Sequence, residues 1–324
     1  MTGAFLARVV LTAIVVVHGT AATPSGTAVA ASAIAQRDRG SIVESSALQD
    51  DADLKRLRQE AARGDRQAQF SLGLAYETGE GVGRDDEMAA TWYQKAAEQG
   101  HPQAQYHLGI LYVDGRGRSQ DDRAALRWFH QAADQGLGEA EYAMGLAYAR
   151  GRGVVKDDQQ AVTWYRRAAE QGLAPAQYRL ATMYHRGVGV PQSFPQAIGW
   201  YRKAAVQGEA DAQYELGVMF RAGEGVGQDD AEAVRWFGRA AEQGHVAAQF
   251  SLGLSLRDGR GQPADVVNAY VWLALSARRA SDEAQHATYG AARDALEATM
   301  TKEQLSAARQ REQWWLESFE RRTK

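Results

Sequence analysis

The chain has 324 residues, 45% hydrophobic and 24% charged, with a formal net charge of −3. Those are the proportions of a soluble folded protein, and the near balance of charge argues against a dedicated nucleic-acid binder. The absence of cysteine excludes disulfides, Cys-ligated metal or iron–sulfur sites, a thiol nucleophile and lipid attachment through cysteine.

Residues 1–22 are expected to be a signal peptide. Arg8 precedes an apolar run of nine residues from Val9 to Val17, too short for a bilayer, which needs about 20, but suited to a signal core. Small-residue cleavage sites follow at Thr20-Ala21-Ala22 and Ala28-Val29-Ala30. An uncleaved anchor or a start assigned too far upstream are the alternatives. With cleavage the protein is expected in the periplasm or secreted, with no membrane span in the mature chain; otherwise it is cytoplasmic. Residues 23–48, rich in Ala, Ser, Thr and Gly, are expected to be a flexible lead-in. Residues 49–64 match the second half of a repeat, with Leu57 and Ala61 each 36 residues before Tyr93 and Ala97, and are expected to cap the array.

The array itself occupies residues 65–280 in six copies. Glycines recur at Gly64, Gly100, Gly136, Gly172, Gly208 and Gly244, and tryptophans at Trp92, Trp128, Trp164, Trp200, Trp236 and Trp272, both with a period of 36. A fixed period of this size marks a solenoid, whose units bury their apolar faces only against neighbours. Within the first copy, Ala68, Leu72 and Tyr76 form one helical stripe and Ala89, Tyr93 and Ala97 a second. Gly79 and Gly100 follow the two helices, where a left-handed residue is wanted, and Asp85-Asp86 opens the second helix as a cap. Gly73, Gly109, Gly145, Gly217 and Gly253 lie inside first helices, each at a cost of about 1 kcal/mol relative to alanine, which implies close helix contact. The predicted class is all-α, an α/α solenoid superhelix of six helix-turn-helix repeats with helical caps.

The pattern A-Q-x-x-L-G-x-x-Y-x-x-G-x-G-V followed by D-x-x-x-A-x-x-W-Y-x-x-A-A-x-x-G resembles the Sel-one-like repeat (SLR) family, relatives of the tetratricopeptide repeats. The resemblance covers residues 65–280 and implies a scaffold for protein–protein contacts with no catalytic residues. Copy four departs from the pattern, with Ala181 in the helix-glycine column and V-P-Q-S-F-P from Val190 to Pro195 in place of the acidic cap; a local kink is expected there. Residues 281–324 lose the period but stay helical, with Thr301 and Gln304 at capping-box spacing, and are expected to cover the end of the array with Trp314, Trp315, Leu316 and Phe319. An exposed partner-binding helix is the competing reading.

No chemistry emerges from the motifs. The Gly79–Gly83 and Gly187–Val190 stretches follow helices and recur in every copy, unlike a phosphate loop. The Asp pairs lack the alternation of a calcium loop, and the histidines lack any ligand spacing, so neither cofactor nor metal is expected. Two features remain. One is an aromatic column, Phe70, Tyr106, Tyr142, Tyr178, Tyr214 and Phe250, which either lines the inner surface or packs between repeats. The other is a basic middle: nine Lys or Arg (Arg150, Arg152, Lys156, Arg166, Arg167, Arg179, Arg186, Arg202, Lys203) against Asp157, Asp158 and Glu170. Columns that vary between copies, among them His107, Arg179, Glu215, His185, Arg186 and Arg221, are free to specify a partner. The expected function is a non-enzymatic scaffold binding another protein, through an acidic or extended segment, on its concave face at Tyr142, Tyr178, Arg179, His185, Arg186, Tyr214 and Arg221. The alternative is an envelope carbohydrate- or peptidoglycan-binding module that uses the aromatic column.

Overall fold

The computed structural model describes residues 51–323; the expected signal peptide and lead-in lie outside them. Among the described residues there are fifteen helices and no strand. The half-repeat is α1 (Asp51–Ala62), and the six repeats follow as helix pairs: α2 (Arg66–Thr78) with α3 (Asp86–Glu98), α4 (Pro102–Asp114) with α5 (Asp122–Asp134), α6 (Gly138–Arg150) with α7 (Asp158–Glu170), α8 (Ala174–Arg186) with α9 (Phe194–Val206), α10 (Ala210–Ala222) with α11 (Asp230–Glu242), and α12 (Val246–Asp258) with α13 (Val266–Arg278). The C-terminal helices are α14 (Glu283–Glu297) and α15 (Lys302–Thr323).

The ends of these helices follow from their sequences. Asp85, Asp121, Asp157 and Asp229 each accept backbone N–H bonds in the first turn of a second helix, which satisfies donors that the helix cannot. First helices end on a left-handed glycine, as at Gly79 with φ 79°. His101 and His245 cap α4 and α12 through Nδ1, which accepts from Ala104 and Ala248. Thr301 and Gln304 form both bonds of their capping box.

The chain divides into two compact units, one running to Ala176 with Val188–Pro191, the other comprising Gln177–Gly187 and everything from Gln192 onward. In the first, each helix from α1 to α7 packs on the next; in the second, α9 to α13 do so, and α14 and α15 both pack on α13. This serial pairing is that of an α solenoid. The helix glycines sit against the large side chain of the second helix in the same repeat. A Cβ on Gly109 would lie 2.5 Å from the Phe129 ring, and one on Gly217 2.5 Å from Phe237. The expected kink in copy four is not a helix break: α8 and α9 each run thirteen residues, and Ser193 replaces aspartate as the cap. At the C-terminus Trp315 packs at a tilt against Trp272 and stacks on Phe319, whereas Trp314, expected to help cover the end of the array, is 54% exposed.

Candidate functional site

Separating what folds the chain from what is left over begins with a buried glutamine column. Gln69, Gln105, Gln213 and Gln249 each donate from Nε2 to the carbonyl of the alanine eight residues earlier (Ala61, Ala97, Ala205, Ala241). Gln99, Gln135, Gln207 and Gln243, beside the closing glycines, donate in turn to the column's Oε1 at Gln69, Gln105, Gln177 and Gln213. A buried amide with donors and acceptors matched is inexpensive to keep and costly to lose, so these glutamines are used by the fold; at the end of the column Gln249 keeps its donor bond but its Oε1 has no partner.

Copy three breaks the ladder and repairs it. Glu141, which is buried, stands in the glutamine column, and a carboxylate has no hydrogen to give to Ala133. The Arg167 guanidinium supplies it, with Nη2 donating to the Ala133 carbonyl at 3.2 Å and Nε donating to Glu141 at 2.8 Å. Burial pushes the Glu141 carboxyl up, against the pull of Arg167 and Gln171.

The leftover polar groups collect where one repeat meets the next. At the junction of repeats one and two, the Glu77 carboxylate accepts from Tyr93 Oη (2.7 Å) and Arg116 Nη1 (3.2 Å) and lies 3.1 Å from His107 Nδ1. Arg116 also grips both oxygens of Asp86, at 2.8 and 3.1 Å. Burial raises Glu77, but the bond and charge of His107, with Tyr93 and Arg116, outweigh it and hold the group at about 2. Next to it, His101 is stacked on Phe70, and burial, with Arg66 and His107, lowers it to about 4. The network is closed on itself.

At the junction of repeats four and five, within the second unit, the same columns hold different groups. His185 replaces Glu77, Glu215 replaces His107, Glu224 replaces Arg116 and Phe194 replaces Asp86. His185 Nε2 lies 3.1 Å from Glu224, and Tyr201 Oη lies 3.2 Å from Thr182 Oγ1. Asp211 meets His245 Nε2 at 3.2 Å, and His245 is stacked on Tyr214. The hydrogen bond of His245 lowers Asp211. Glu215 has no hydrogen-bond or ion-pair partner among the described residues. Burial raises its carboxyl, against attraction from His185 and Arg186.

Six of the seven residues singled out from sequence belong to this second unit: Tyr178, Arg179, His185, Arg186, Tyr214 and Arg221. Burial raises the Tyr178 phenol to about 12, and Arg179 lies over its ring. Arg221 stands one repeat further along, over Phe237. Tyr142, the seventh, lies in the first unit and is 3% exposed, packed against Tyr165. It cannot line an open surface, nor can Phe70 and Tyr106, which are also buried; in these copies the aromatic column is packing. The basic middle is also corrected. Arg152 pairs with Asp122, Lys156 with Asp158 and Arg167 with Glu141, while the charges of Arg179 and Arg186 are felt by Asp211 and Glu215 respectively. Most of those carboxylates lie outside residues 150–203, so a count along the chain missed them.

The repeat geometry has counterparts among known proteins. The Sel1 repeat family matches at residues 66–101, 102–137, 138–173, 174–209, 210–245 and 246–281. The chain belongs to the Sel1 repeat family. A Sel1 repeat protein from Oxalobacter formigenes is 31% identical over 71% of this chain and 92% of its own, with a TM-score of 0.64. A protective antigen of uropathogenic Escherichia coli with an SLR fold is 24% identical over 92% of this chain and 95% of its own, with a TM-score of 0.32. An immunity protein from Pseudomonas aeruginosa is 24% identical over 66% and 74%, with a TM-score of 0.37. No curated protein matches the chain. Sel1 repeat proteins are generally protein–protein interaction scaffolds. Among the described residues of this Sel1 repeat chain no helix is long and apolar enough to cross a membrane, and no cluster of His, Asp and Glu has the makings of a metal site.

Proposed function

We propose that this chain is an exported, non-enzymatic adaptor that holds an extended segment of a partner protein on the face shared by α8 and α10, the first helices of repeats four and five. One observation carries the reading: Arg186 and Glu215 gather there from the variable columns, and neither takes part in the packing and glutamine ladder that build the fold. The aromatic-column alternative loses support from the burial of Phe70, Tyr106 and Tyr142.

The test uses the full chain with a photo-crosslinking side chain at position 186 or 215. Both positions are expected to yield the same adduct in the envelope fraction, and position 155, exposed in the first unit, is expected to yield none. No adduct, or one pattern at all three positions, overturns the partner face. Export is tested by N-terminal sequencing of the chain recovered from the periplasm, expected to begin just after Ala22 or Ala30.

A further inference from the structure

We propose that Arg279 is a two-position latch, which holds the C-terminal helix α15 in one position and closes the glutamine ladder in the other. The assignment is independent of the partner face on α8 and α10. In repeats one to five the C-cap residue of the second helix is a glutamine, Gln99, Gln135, Gln171, Gln207 or Gln243. Each donates from Nε2 to the buried column, at 2.7 or 2.8 Å. In repeat six the C-cap residue of α13 is Arg279, and the bond is not made. Gln249 is fully buried and gives a hydrogen to Ala241, but its Oε1 has no donor.

The Arg279 guanidinium is turned towards the cap instead. Its Cζ lies 5.0 Å from the centre of the Phe319 ring, and Nη1 stands 2.6 Å from the place that a Cβ on Gly244 would take. At the closing glycines Gly100, Gly136 and Gly208 nothing lies within 4 Å of that place, whereas Gly244 is buried. The arginine therefore fills a slot between the Gly244 backbone and α15. The second position follows from the side chain itself. Nε of arginine and Nε2 of glutamine are the same number of bonds from the backbone, so at this C-cap the Nε–H can stand where the glutamine donor stands in the other copies. A buried acceptor without a donor carries a cost that a charge-assisted bond removes, and a cation–π contact at an exposed side chain is of similar worth. Arg279 is exposed, as are the five glutamines that close the earlier copies, so the exchange needs no opening of the core. A partner that takes hold of Phe319 releases Arg279 to the ladder, and the state of the cap is felt in repeat six.

The experiment follows the Arg279 Nε–H by NMR in the isotope-labelled full chain and in its Phe319→Leu variant, with circular dichroism melting to verify folding and Arg279→Lys to assign the signal. In the parent this hydrogen is expected to exchange freely with water. In Phe319→Leu it is expected to be protected about tenfold, the value of one charge-assisted hydrogen bond. Arg279→Gln closes the ladder permanently and frees the end of α15, so the amides from Trp315 to Phe319 should exchange about threefold faster, the value of an exposed cation–π contact. An Nε–H already protected in the parent, one left unprotected in Phe319→Leu, or unchanged exchange of α15 in Arg279→Gln overturns the latch.

Discussion

The junction of repeats one and two and that of repeats four and five carry the same pair of side chains at the same two columns in opposite order, Glu77 with His107 and His185 with Glu215. In the first, both oxygens of the carboxylate have partners, and the group is held at about 2. In the second, the carboxylate has no donor and its proton affinity is raised. Composition is nearly conserved while the electrostatics reverse, because Arg116 is present in one junction and replaced by Glu224 in the other. A closed network stabilises the chain; an unpaired carboxylate adds nothing to that stability.

Acid should separate the two units most strongly. His101 binds its proton less readily in the fold, at about 4, than in the unfolded chain, where the ordinary value is 6.5, so its contribution is lost as pH falls from about 6.5 towards 4. Glu77 follows, its contribution lost between 4.5 and about 2. In the second unit Glu209 and Glu215 have raised values, so that unit gains stability as they protonate and loses it again as pH rises through their folded values. Hydrogen exchange read by mass spectrometry should therefore show protection falling in α2–α4 and rising in α10 between pH 6.5 and 4.5. Parallel loss in both would break the contrast.

Arg116→Met opens the closed junction directly. It strands Glu77 and Asp86 and should cost about 2–3 kcal/mol, a little below the range for breaking a buried ion pair because Arg116 keeps some exposure. Urea denaturation checks it, and a loss below about 0.5 kcal/mol, the scale of an ordinary surface change, would show that the network is not needed.

The fold was legible because it repeats: the 36-residue period, the cap aspartates and the closing glycines are local signals that six copies reinforce. The site was only partly legible. The variable columns nominate Arg179, His185 and Arg186 as candidates, and the basic middle was misread because a solenoid brings together residues from adjacent copies rather than neighbours in sequence. The usable signal was a separation of 30, which joins Glu77 to His107, Asp86 to Arg116 and Asp122 to Arg152. The unpaired state of Glu215 was not readable by any spacing rule, since it depends on which way His185 turns.

Two smaller effects sharpen the comparison. Arg167→Met should cost about 2 kcal/mol while Glu141 is present, and less than about 0.5 kcal/mol in a Glu141→Gln background, where an amide restores the donor to Ala133; a double-mutant cycle by chemical denaturation measures the coupling. Glu215→Gln should change stability by less than about 0.5 kcal/mol, because no bond to Glu215 is lost, and a larger fall in thermal melting would show that Glu215 serves the fold after all.

The repair at Glu141 has a consequence for how such an array can change length. The glutamine ladder joins each copy only to its neighbours, so an interior copy can be duplicated or deleted without adding an unmatched amide to the one at Gln249, where the ladder ends. Glu141 and Arg167 lie in the same copy, and the arginine reaches back to a backbone carbonyl that every preceding copy offers. The defect and its remedy are therefore transmitted together, and as far as the ladder is concerned this third copy asks nothing of a new neighbour, although Arg152 still calls for an aspartate at the Asp122 column of the copy before it.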